Sequence, residues 1–521
     1  MVECRSNSRD KKNYLTAIFL IIVISFILRV FDLVNNPPGF FADEAAIGYN
    51  AYKILKTGGD EYGVPFPIFF RSLGDYRLPI PIYANIPMIA LFGLNEFSVR
   101  LTVVLFGLIS ILFTILLTTE IWGKNTGLLA GLLLSISPWH IHMSRWGSEY
   151  IYFPALFSIA LFFYVKSFHK KSNLITSCFF FGLGMYTYYS TLIVTPILLF
   201  FCLIFWLIKK KLAGWKYAVL GLSVFILLCL PIYFGYKSGV LLTRWESISK
   251  NVSLSLKEKI RQTSNHYLDH FSLDFLFLKG DIDFKDQFVS RHSVRGFGEL
   301  YLYQLPLLIL GLYLCYIKRR DLRIVPILIL LLLYPVGSAI TNDGPQATRA
   351  IIGVIPFSII SAVGLNKILE FRHGIKKSFL RTGIFIFITV MISLSLVKYG
   401  FSFYVKYPLY SADFWGWQYG PKEIVNYFLK ERNNYDELYM TGNFNAPYIF
   451  LKFYDPEGRC KNCFLGGINN YSEDKKQLFA LAVAELEEAK KRYPQPKLTI
   501  FKTIYYPDHK PAFYIGTFTW Y

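Results

Sequence analysis

The stretch Asn36-Pro37-Pro38-Gly39-Phe40-Phe41-Ala42-Asp43-Glu44-Ala45 follows directly after the first long apolar run of the chain, Tyr14 to Val34. Two adjacent carboxylates, Asp43 and Glu44, are therefore expected where a helix leaves a membrane. Charge at that position is unfavourable unless a function requires it. Neighbouring helical residues point in different directions, so one carboxylate can face a reacting group while the other orients it or contacts a second substrate. The alternative is a helix N-terminus that favours negative charge, since Pro-Pro-Gly precedes the pair.

The composition indicates a polytopic membrane protein. Of the 521 residues, 54% are hydrophobic and only 17% are charged, and the mean hydropathy is +0.37. Apolar runs of about 17–25 residues, long enough to span a bilayer, recur through the first 400 positions. The net charge of +20 comes from short basic segments between these runs, which is the positive-inside pattern and argues against a nucleic-acid partner. We expect a multi-pass protein of the plasma membrane, with its first apolar run retained as a helix.

The alternation of apolar runs and basic segments predicts eleven membrane helices with a cytoplasmic N-terminus. The first outer loop should contain two interfacial helices, Ala45 to Leu55 and a proline-rich piece from Pro79 to Leu94. The first three membrane helices are expected at about 14–34, 99–117 and 126–136, and the fourth ends at about 166. The fifth and sixth lie within the stretch that ends at 209, and the seventh is at about 217–233. The eighth ends at about 318, the ninth ends at about 340, the tenth begins near 349 and the eleventh ends at about 398.

Two regions follow from this topology. Residues 1–400 should form the transmembrane region, with outer loops at about 35–98, 137–150 and 237–298, and residues 401–521 a small extracytoplasmic α/β domain. In that domain Lys422 to Lys430 is amphipathic, and Glu437 to Met440 and Leu498 to Ile504 resemble strands. The Cys460-Lys461-Asn462-Cys463 pair could be a disulfide, a redox motif or half a zinc site, and we favour the disulfide.

Charged residues collect at the outer ends of the helices. They are Asp43 and Glu44; Arg71, Asp75 and Arg77; His140, His142, Arg145 and Glu149; and Arg349 at the start of the tenth helix. An arginine can hold an anionic phosphate, and a carboxylate can take a proton from an incoming hydroxyl. Together these groups suit glycosyl transfer from a lipid phosphate whose tail stays in the bilayer.

Each member of this set also has a simpler explanation. Arg71 and Arg77 could anchor the chain beside lipid headgroups, and Tyr188 could belong to an interfacial aromatic belt with its neighbours. His140 and His142, two residues apart, do not share a helix face and make a poor metal pair. Glu149 has fewer such explanations, because a carboxylate near hydrocarbon is unfavourable.

Three motifs carry a resemblance to a known family: Phe41-Ala42-Asp43-Glu44-Ala45, Gly74-Asp75-Tyr76-Arg77-Leu78-Pro79, and the segment from Ser137-Pro138-Trp139-His140 through Arg145 to Glu149. The region from Gly39 to about Pro154 resembles glycosyltransferase family 39 of the GT-C superfamily, which includes protein O-mannosyltransferases and aminoarabinose transferases. Weaker likeness extends through Tyr188 and Arg349 to about Leu365. Arg77 falls where this family commonly has a lysine that contacts the lipid-linked phosphate.

The resemblance implies a GT-C fold and a site on the extracytoplasmic side. Asp43 would be the catalytic base, and Glu44, its catalytic neighbour, would orient the acceptor or Asp43. Arg77, Arg71 and Arg349 would bind the donor phosphate. The predicted substrate-binding residues are Asp75, His140, Arg145, Glu149 and Tyr188. The donor would be a polyprenyl-phosphate hexose or pentose, the acceptor a protein, lipid or glycan, and no metal or other cofactor is expected.

Two other classes of function use similar residues. A transporter or flippase of a lipid-linked sugar needs the same headgroup contacts, but it places ionisable residues near the bilayer midplane and shows internal repeats. A non-catalytic scaffold would leave the Asp43-Glu44 pair unexplained. The long outer segment from Gly239 to Gly298, which contains Arg244, Trp245, His266 and Arg291, is either a lid over the site or a pair of interfacial helices.

Overall fold

The computed structural model of the protein describes residues 2–210, 214–243, 254–281, 291–492 and 497–519. Arg244 and Trp245 of the predicted lid lie outside these ranges. Helices dominate the first 400 residues. They are α1 (Val2–Val30), α2 (Ala42–Thr57), α3 (Pro79–Phe92), α4 (Glu96–Trp122), α5 (Lys124–Ile136), α6 (Pro138–Met143), α7 (Tyr152–Lys166), α8 (Asn173–Gly184), α9 (Thr191–Lys210), α10 (Trp215–Lys237), α11 (Leu256–Asp269), α12 (Gln304–Ile317), α13 (Val325–Leu333), α14 (Val336–Ala339), α15 (Val354–His373) and α16 (Ser378–Phe401).

Each of the eleven predicted membrane segments is helical in the structure. Within the described residues, six helices are long and apolar enough to cross a membrane: α1, α4, α9, α10, α15 and α16, the last continuing to Tyr410. The other five segments correspond to the shorter apolar helices α5, α7, α8, α12 and α13 together with α14. Helices suit this environment because they satisfy their backbone polar groups internally. The predicted polytopic helical fold is confirmed.

The bundle has a centre and an edge. Most of the apolar stretch of α4 is buried, and α4 packs against α5 and α7. The corresponding stretch of α16 has no buried residue, so α16 lies at the periphery. The first turns of α4, where the first outer loop ends, are therefore buried in the bundle.

The first outer loop contains α2, a two-stranded hairpin and α3. Strands β1 (Phe70–Ser72) and β2 (Asp75–Arg77) pair antiparallel, with Phe70 opposite Arg77. The two predicted interfacial helices are present as α2 and α3, but α2 begins at Ala42, earlier than expected. Asp43 and Glu44 therefore lie in its first turn, where the helix dipole favours negative charge.

The C-terminal region is an α/β unit. Its helices are α17 (Tyr407–Tyr410), α18 (Pro421–Glu431), α19 (Tyr448–Tyr454) and α20 (Val483–Arg492). A five-stranded sheet has the order β4-β3-β5-β7-β6, from β3 (Glu437–Met440), β4 (Cys463–Leu465), β5 (Gln477–Ala482), β6 (Lys497–Tyr505) and β7 (Pro511–Thr519). The predicted amphipathic helix and the two predicted strands are α18, β3 and β6. Cys460 and Cys463 form a disulfide, as expected.

This unit packs onto the first outer loop. Its buried residues Phe428 and Phe453 belong to the same hydrophobic core as Ala45 and Ile47 of α2. The Phe40 and Phe453 rings lie 4.8 Å apart. The C-terminal unit therefore supports the helix that carries Asp43.

Candidate active site

Asp43, Arg77 and Glu149 form one cluster of charges. Arg77 donates through Nη2 to Asp43 Oδ1 at 2.8 Å and through Nη1 to Glu149 Oε2 at 3.3 Å. The side chains of Arg77 and Glu149 are only 7% and 8% exposed, whereas that of Asp43 is 17% exposed. One guanidinium therefore orients two carboxylates, and Asp43 is the more accessible of them.

Three separate segments build this cluster. Asp43 comes from the first turn of α2, Arg77 from the end of β2, and Glu149 from the loop between α6 and α7. The hairpin register places the Arg77 side chain on the same face as the buried Phe70. The sequence predicted all three as site residues, and the structure brings them together.

Glu44 points away from this cluster. Its carboxylate is fully buried and accepts hydrogen bonds from Arg100 Nε at 3.0 Å and Arg100 Nη2 at 3.1 Å. The backbone N–H groups of Phe41 and Gly147 donate to the same carboxylate at 3.0 and 2.8 Å. Because its oxygens are occupied by these donors, Glu44 fixes the position of α2. The prediction that Glu44 orients Asp43 or the acceptor stays a prediction, and these contacts favour the first of the two roles, because Glu44 fixes the helix that carries Asp43.

Arg100 is a residue that the sequence reasoning missed. It lies in α4 and also donates to the backbone carbonyls of Leu33, Val34, Pro37 and Gly39. It thereby ties the end of the first transmembrane segment to Glu44. An arginine inside an otherwise apolar helix is itself a signal of a specific partner, and this signal could have identified it.

Arg145 also has a structural role. Its guanidinium donates to the backbone carbonyls of Leu28, Arg29, Asp32 and Asn36, at 2.5–3.2 Å, and packs on the rings of Phe403 and Tyr404. The last carbonyls of a helix have no partner within the helix. Arg145 therefore caps the C-terminal end of α1, which differs from the predicted contact with substrate.

His140 holds helices together. Its Nδ1 lies 2.7 Å from Arg29 Nη2, and its Nε2 lies 2.7 Å from Ser110 Oγ. The residue is completely buried between α1 and α4. The predicted contact of His140 with substrate is therefore replaced by a contact between helices.

The two remaining charges of the hairpin lie on different faces. Arg71 is opposite Tyr76 in the register, on the other face from Arg77, and its guanidinium lies 5.2 Å from the centre of the Tyr62 ring. This position separates Arg71 from the cluster and does not support its predicted phosphate contact. Asp75, two residues before Arg77, lies on the same face as Arg77.

A cavity of about 240 Å³ lies between α9, α10 and the segment after α13. Its lining residues are Tyr188, Tyr189, Ser190, Ile193, Tyr236, Leu241, Leu242, Gly337, Ile340, Thr341 and Arg349. Most of these lining residues are apolar, and the charged residue among them is Arg349. Tyr188 and Arg349, both predicted site residues, therefore share one cavity.

Arg349 is held in position at the cavity. Its Nη1 donates to Asp343 Oδ1 at 2.5 Å and to Thr341 Oγ1 at 2.6 Å. Burial raises the pKa of the Asp343 carboxyl, but the charge of Arg349 and its hydrogen bond act in the opposite direction and leave this pKa below its ordinary value. Asp343 is therefore ionised at neutral pH and keeps the guanidinium in place.

The cavity adjoins the Asp43–Arg77–Glu149 cluster. Tyr150, next to Glu149, contacts Tyr188 edge to face, with ring centres 5.1 Å apart. Tyr189 donates from its hydroxyl to the backbone oxygen of Tyr76, next to Arg77, at 2.6 Å. Two contacts therefore link the neighbours of Glu149 and Arg77 to the wall of the cavity.

The arrangement contains the groups that an acid–base reaction at a lipid phosphate requires. One accessible carboxylate is oriented by an arginine, and a second arginine stands in an adjacent apolar cavity. Within the described ranges, no three or more His, Cys, Asp or Glu residues are grouped so that they could hold a metal ion.

The fold is that of the GT-C membrane glycosyltransferases. The structure of ArnT from Cupriavidus metallidurans bound to undecaprenyl phosphate aligns over 96% of this chain and 97% of ArnT, with a TM-score of 0.52 and 13% identity. The oligosaccharyltransferase AglB from Archaeoglobus fulgidus, in complex with an inhibitory peptide and a dolichol-phosphate, aligns over 88% of this chain and 65% of AglB, with a TM-score of 0.55 and 14% identity. At these identities the likeness establishes the fold.

The sequence comparison points to the same group of proteins. Residues 79–234 match the family described as dolichyl-phosphate-mannose-protein mannosyltransferase. This range includes Glu149 and Tyr188 and begins two residues after Arg77. The match and the fold together confirm the predicted resemblance.

A relative is found in a bacterium. The chain is 26% identical over 156 residues to an uncharacterized protein of Aquifex aeolicus (strain VF5). The aligned part spans 30% of this chain and 30% of that protein.

Proposed function

We propose that the protein is an integral membrane glycosyltransferase that moves one hexose or pentose from a polyprenyl-phosphate donor to a protein, lipid or glycan acceptor. The reaction takes place at the extracytoplasmic face of the plasma membrane. The observation that carries this proposal is the Asp43–Arg77–Glu149 cluster beside an apolar cavity that contains Arg349. The GT-C fold and the partial family match support it.

The cavity fits the donor by its chemistry. Its apolar wall, which includes Ile193, Leu241 and Ile340, suits the first isoprene units of a polyprenyl chain. Arg349 then pairs with the phosphate, since a guanidinium can donate two parallel hydrogen bonds to it. Asp343 forms an ion pair with Arg349 and orients it.

Asp43 is the base in this proposal. The acceptor oxygen or nitrogen attacks the anomeric carbon, and the bond from that carbon to the phosphate oxygen breaks. The proton of the acceptor passes to the Asp43 carboxylate, and the polyprenyl phosphate leaves with the electron pair of the broken bond. General base catalysis of this kind contributes about 10²–10⁴-fold to the rate.

Arg77 orients the carboxylates in this proposal. In the structure it already donates to Asp43 and Glu149, so a phosphate would have to displace a carboxylate to bind it. Arg349 is also paired with a carboxylate, that of Asp343, but it lines the apolar cavity that would hold the lipid. We therefore assign the phosphate contact to Arg349, and Arg77 holds Asp43 towards the acceptor. This assignment differs from the role that the family resemblance implies for Arg77.

The proposal is tested by incubating the purified protein with a panel of polyprenyl-phosphate sugars and membrane-derived acceptors. Mass spectrometry then measures free polyprenyl phosphate and glycosylated product. A glycosyltransferase releases the two in equal amounts. A transporter or flippase leaves the sugar–phosphate bond intact, so an unchanged donor across the whole panel, together with its movement between leaflets, would contradict the proposal.

A further inference from the structure

Helix α11 carries an exposed apolar stripe. None of its residues, all of which the structure describes, is buried. Leu256 and Ile260 are 75% and 59% exposed. These two residues are four apart, so their side chains lie on one side of the helix and form a short apolar stripe. A line of exposed leucine and isoleucine in a helix that begins with its own capping serine, Ser255, needs an apolar partner.

Most of the remaining exposed surface of α11 is polar. Glu258, Asn265 and Asp269 lie on the side of the helix away from the stripe, and Leu268 lies beside Arg261 between the two sides. Lys257 lies at the edge of the stripe. An apolar line next to a charged face is the pattern of a helix that lies flat in a membrane interface.

Two hydrogen bonds fix how α11 is rotated about its axis. His266 Nδ1 lies 3.1 Å from the backbone oxygen of Thr341, and Tyr267 donates from its hydroxyl to the backbone oxygen of Leu332 at 2.9 Å. Leu332 belongs to the apolar helix α13, and its own side chain is 58% exposed on the outside of the bundle. Thr341 lies nine residues after Leu332 in the chain, and nine helical residues extend about 13 Å along the helix axis.

Tyr267 is on the same side of α11 as Leu256 and Ile260, because residues seven and eleven apart nearly coincide around a helix. The stripe therefore faces the level of Leu332, within the apolar part of the bundle. His266, on another side, faces the level of Thr341 at the end of that segment. The hydrogen bonds turn the apolar stripe towards the membrane and the charged face away from it.

We propose that α11 is a membrane-binding surface that lies in the outer leaflet. Leu256 and Ile260 enter the boundary between headgroups and acyl chains, and Lys257 lies at the level of the lipid phosphates. The exposed apolar side chain of Leu332 continues this surface onto the bundle. The inference does not depend on the proposed activity. It gives the apolar stripe a lipid partner and favours an interfacial helix at this part of the long outer segment.

This surface also positions the donor cavity. Thr341 bonds to α11 and lines the cavity that contains Arg349. A helix held at the outer leaflet through Thr341 keeps this side of the cavity at the level of the lipid headgroups. A donor phosphate in the leaflet then meets Arg349 without leaving the membrane.

The test places an environment-sensitive fluorophore on single introduced cysteines in the full-length protein in lipid nanodiscs. The variants Leu256→Cys and Ile260→Cys label the stripe, and Asn265→Cys, also exposed, labels the charged face as the matched control. The unsubstituted protein measures the background from the native cysteines. The nanodiscs contain phosphatidylcholine with or without a spin label near the headgroup end of the acyl chain.

We expect the spin-labelled lipid to quench the labels at 256 and 260 several-fold more than the label at 265. Equal quenching of all three labels, or no quenching of any, would overturn the inference. A label at 260 that is shielded from water but unaffected by the lipid quencher would also overturn it, because the stripe would then be covered by protein, such as a second copy of the chain. Circular dichroism and gel filtration of each variant establish that it is folded.

Discussion

At the scale of single residues, the site depends on how each charge is paired. Glu44 and Asp43 are neighbours in the sequence, yet the first is enclosed by Arg100 and two backbone N–H groups and the second is partly open. Burying a carboxylate is tolerable only when it is paired and hydrogen-bonded. The difference in their surroundings therefore separates a structural residue from a candidate base.

We predict that Glu44→Gln destabilises the protein. Removing one charge leaves Arg100 buried without its counter-ion, which costs about 3–5 kcal/mol in comparable cases. Thermal unfolding in detergent should shift to lower temperature, with Glu473→Gln, an exposed carboxylate of the C-terminal unit, as the control. A Glu44→Gln protein of normal stability that has lost turnover would instead assign Glu44 to the chemistry.

Arg349→Gln should weaken binding of the donor. A hydrogen bond to a charged group contributes about 1.5–3 kcal/mol, which corresponds to roughly 10- to 100-fold in affinity. Titration of the protein with polyprenyl phosphate measures this loss, and Arg319→Gln, at the predicted cytoplasmic end of α12, is the matched control. An unchanged affinity for Arg349→Gln would remove Arg349 from the phosphate site and return Arg77 to it.

The sequence predicted the loops that form the site more accurately than it predicted the side chains that face the site. Asp43, Arg77 and Glu149 were predicted from their loops and their family motifs, and the structure joins them. Arg145 and His140 come from the same loop as Glu149, but they point into the bundle. Residue spacing in a loop does not determine side-chain direction, because that direction depends on which carbonyls and helices are nearby after folding.

At the scale of elements, helix ends decide where the loops begin. The eleven helical segments were predictable because each is a continuous apolar run bounded by polar residues. The start of α2 at Ala42 was not predictable, because Phe41 at its N-cap has no side-chain oxygen that would indicate a helix start. Instead the Glu44 side chain accepts from the Phe41 backbone N–H and completes that end.

The hydrogen bonds from Arg145 to the end of α1 give a prediction about the stability of the protein. Arg145→Ala should lower the unfolding temperature, because several buried carbonyls lose their donor at about 1–3 kcal/mol for each group that stays unsatisfied. Donor affinity in the folded fraction should be unchanged. Lys170→Ala, at an exposed lysine, is the control. A variant with normal stability and weakened donor binding would place Arg145 in the binding site after all.

At the scale of the whole molecule, the C-terminal unit and the first outer loop share one hydrophobic core. The strands β3 and β6 were predicted from their residues, but the sheet order was not, because strand order depends on contacts between distant segments. Sequence pattern also gave no indication that α19 packs against α2. The consequence is that the position of Asp43 depends on residues more than 400 positions later in the chain.

Phe453→Ala tests this coupling. Phe453 is 1% exposed and contacts Phe40, so its truncation should cost about 3–5 kcal/mol and lower both the unfolding temperature and turnover. Phe501→Ala, at a phenylalanine of β6 that is 51% exposed, is the matched control and should change little. Equal effects of the two substitutions would show that the shared core does not support the site.

The central claim is that Asp43 is the base of a glycosyl transfer from a polyprenyl-phosphate sugar. The most direct measurement compares the release of polyprenyl phosphate by the wild-type protein and by Asp43→Asn, with donor binding measured in parallel. Asparagine has nearly the same shape but cannot accept the proton, so we predict normal donor affinity and a rate lowered by about 100-fold or more. Release by Asp43→Asn at close to the wild-type rate would contradict the account.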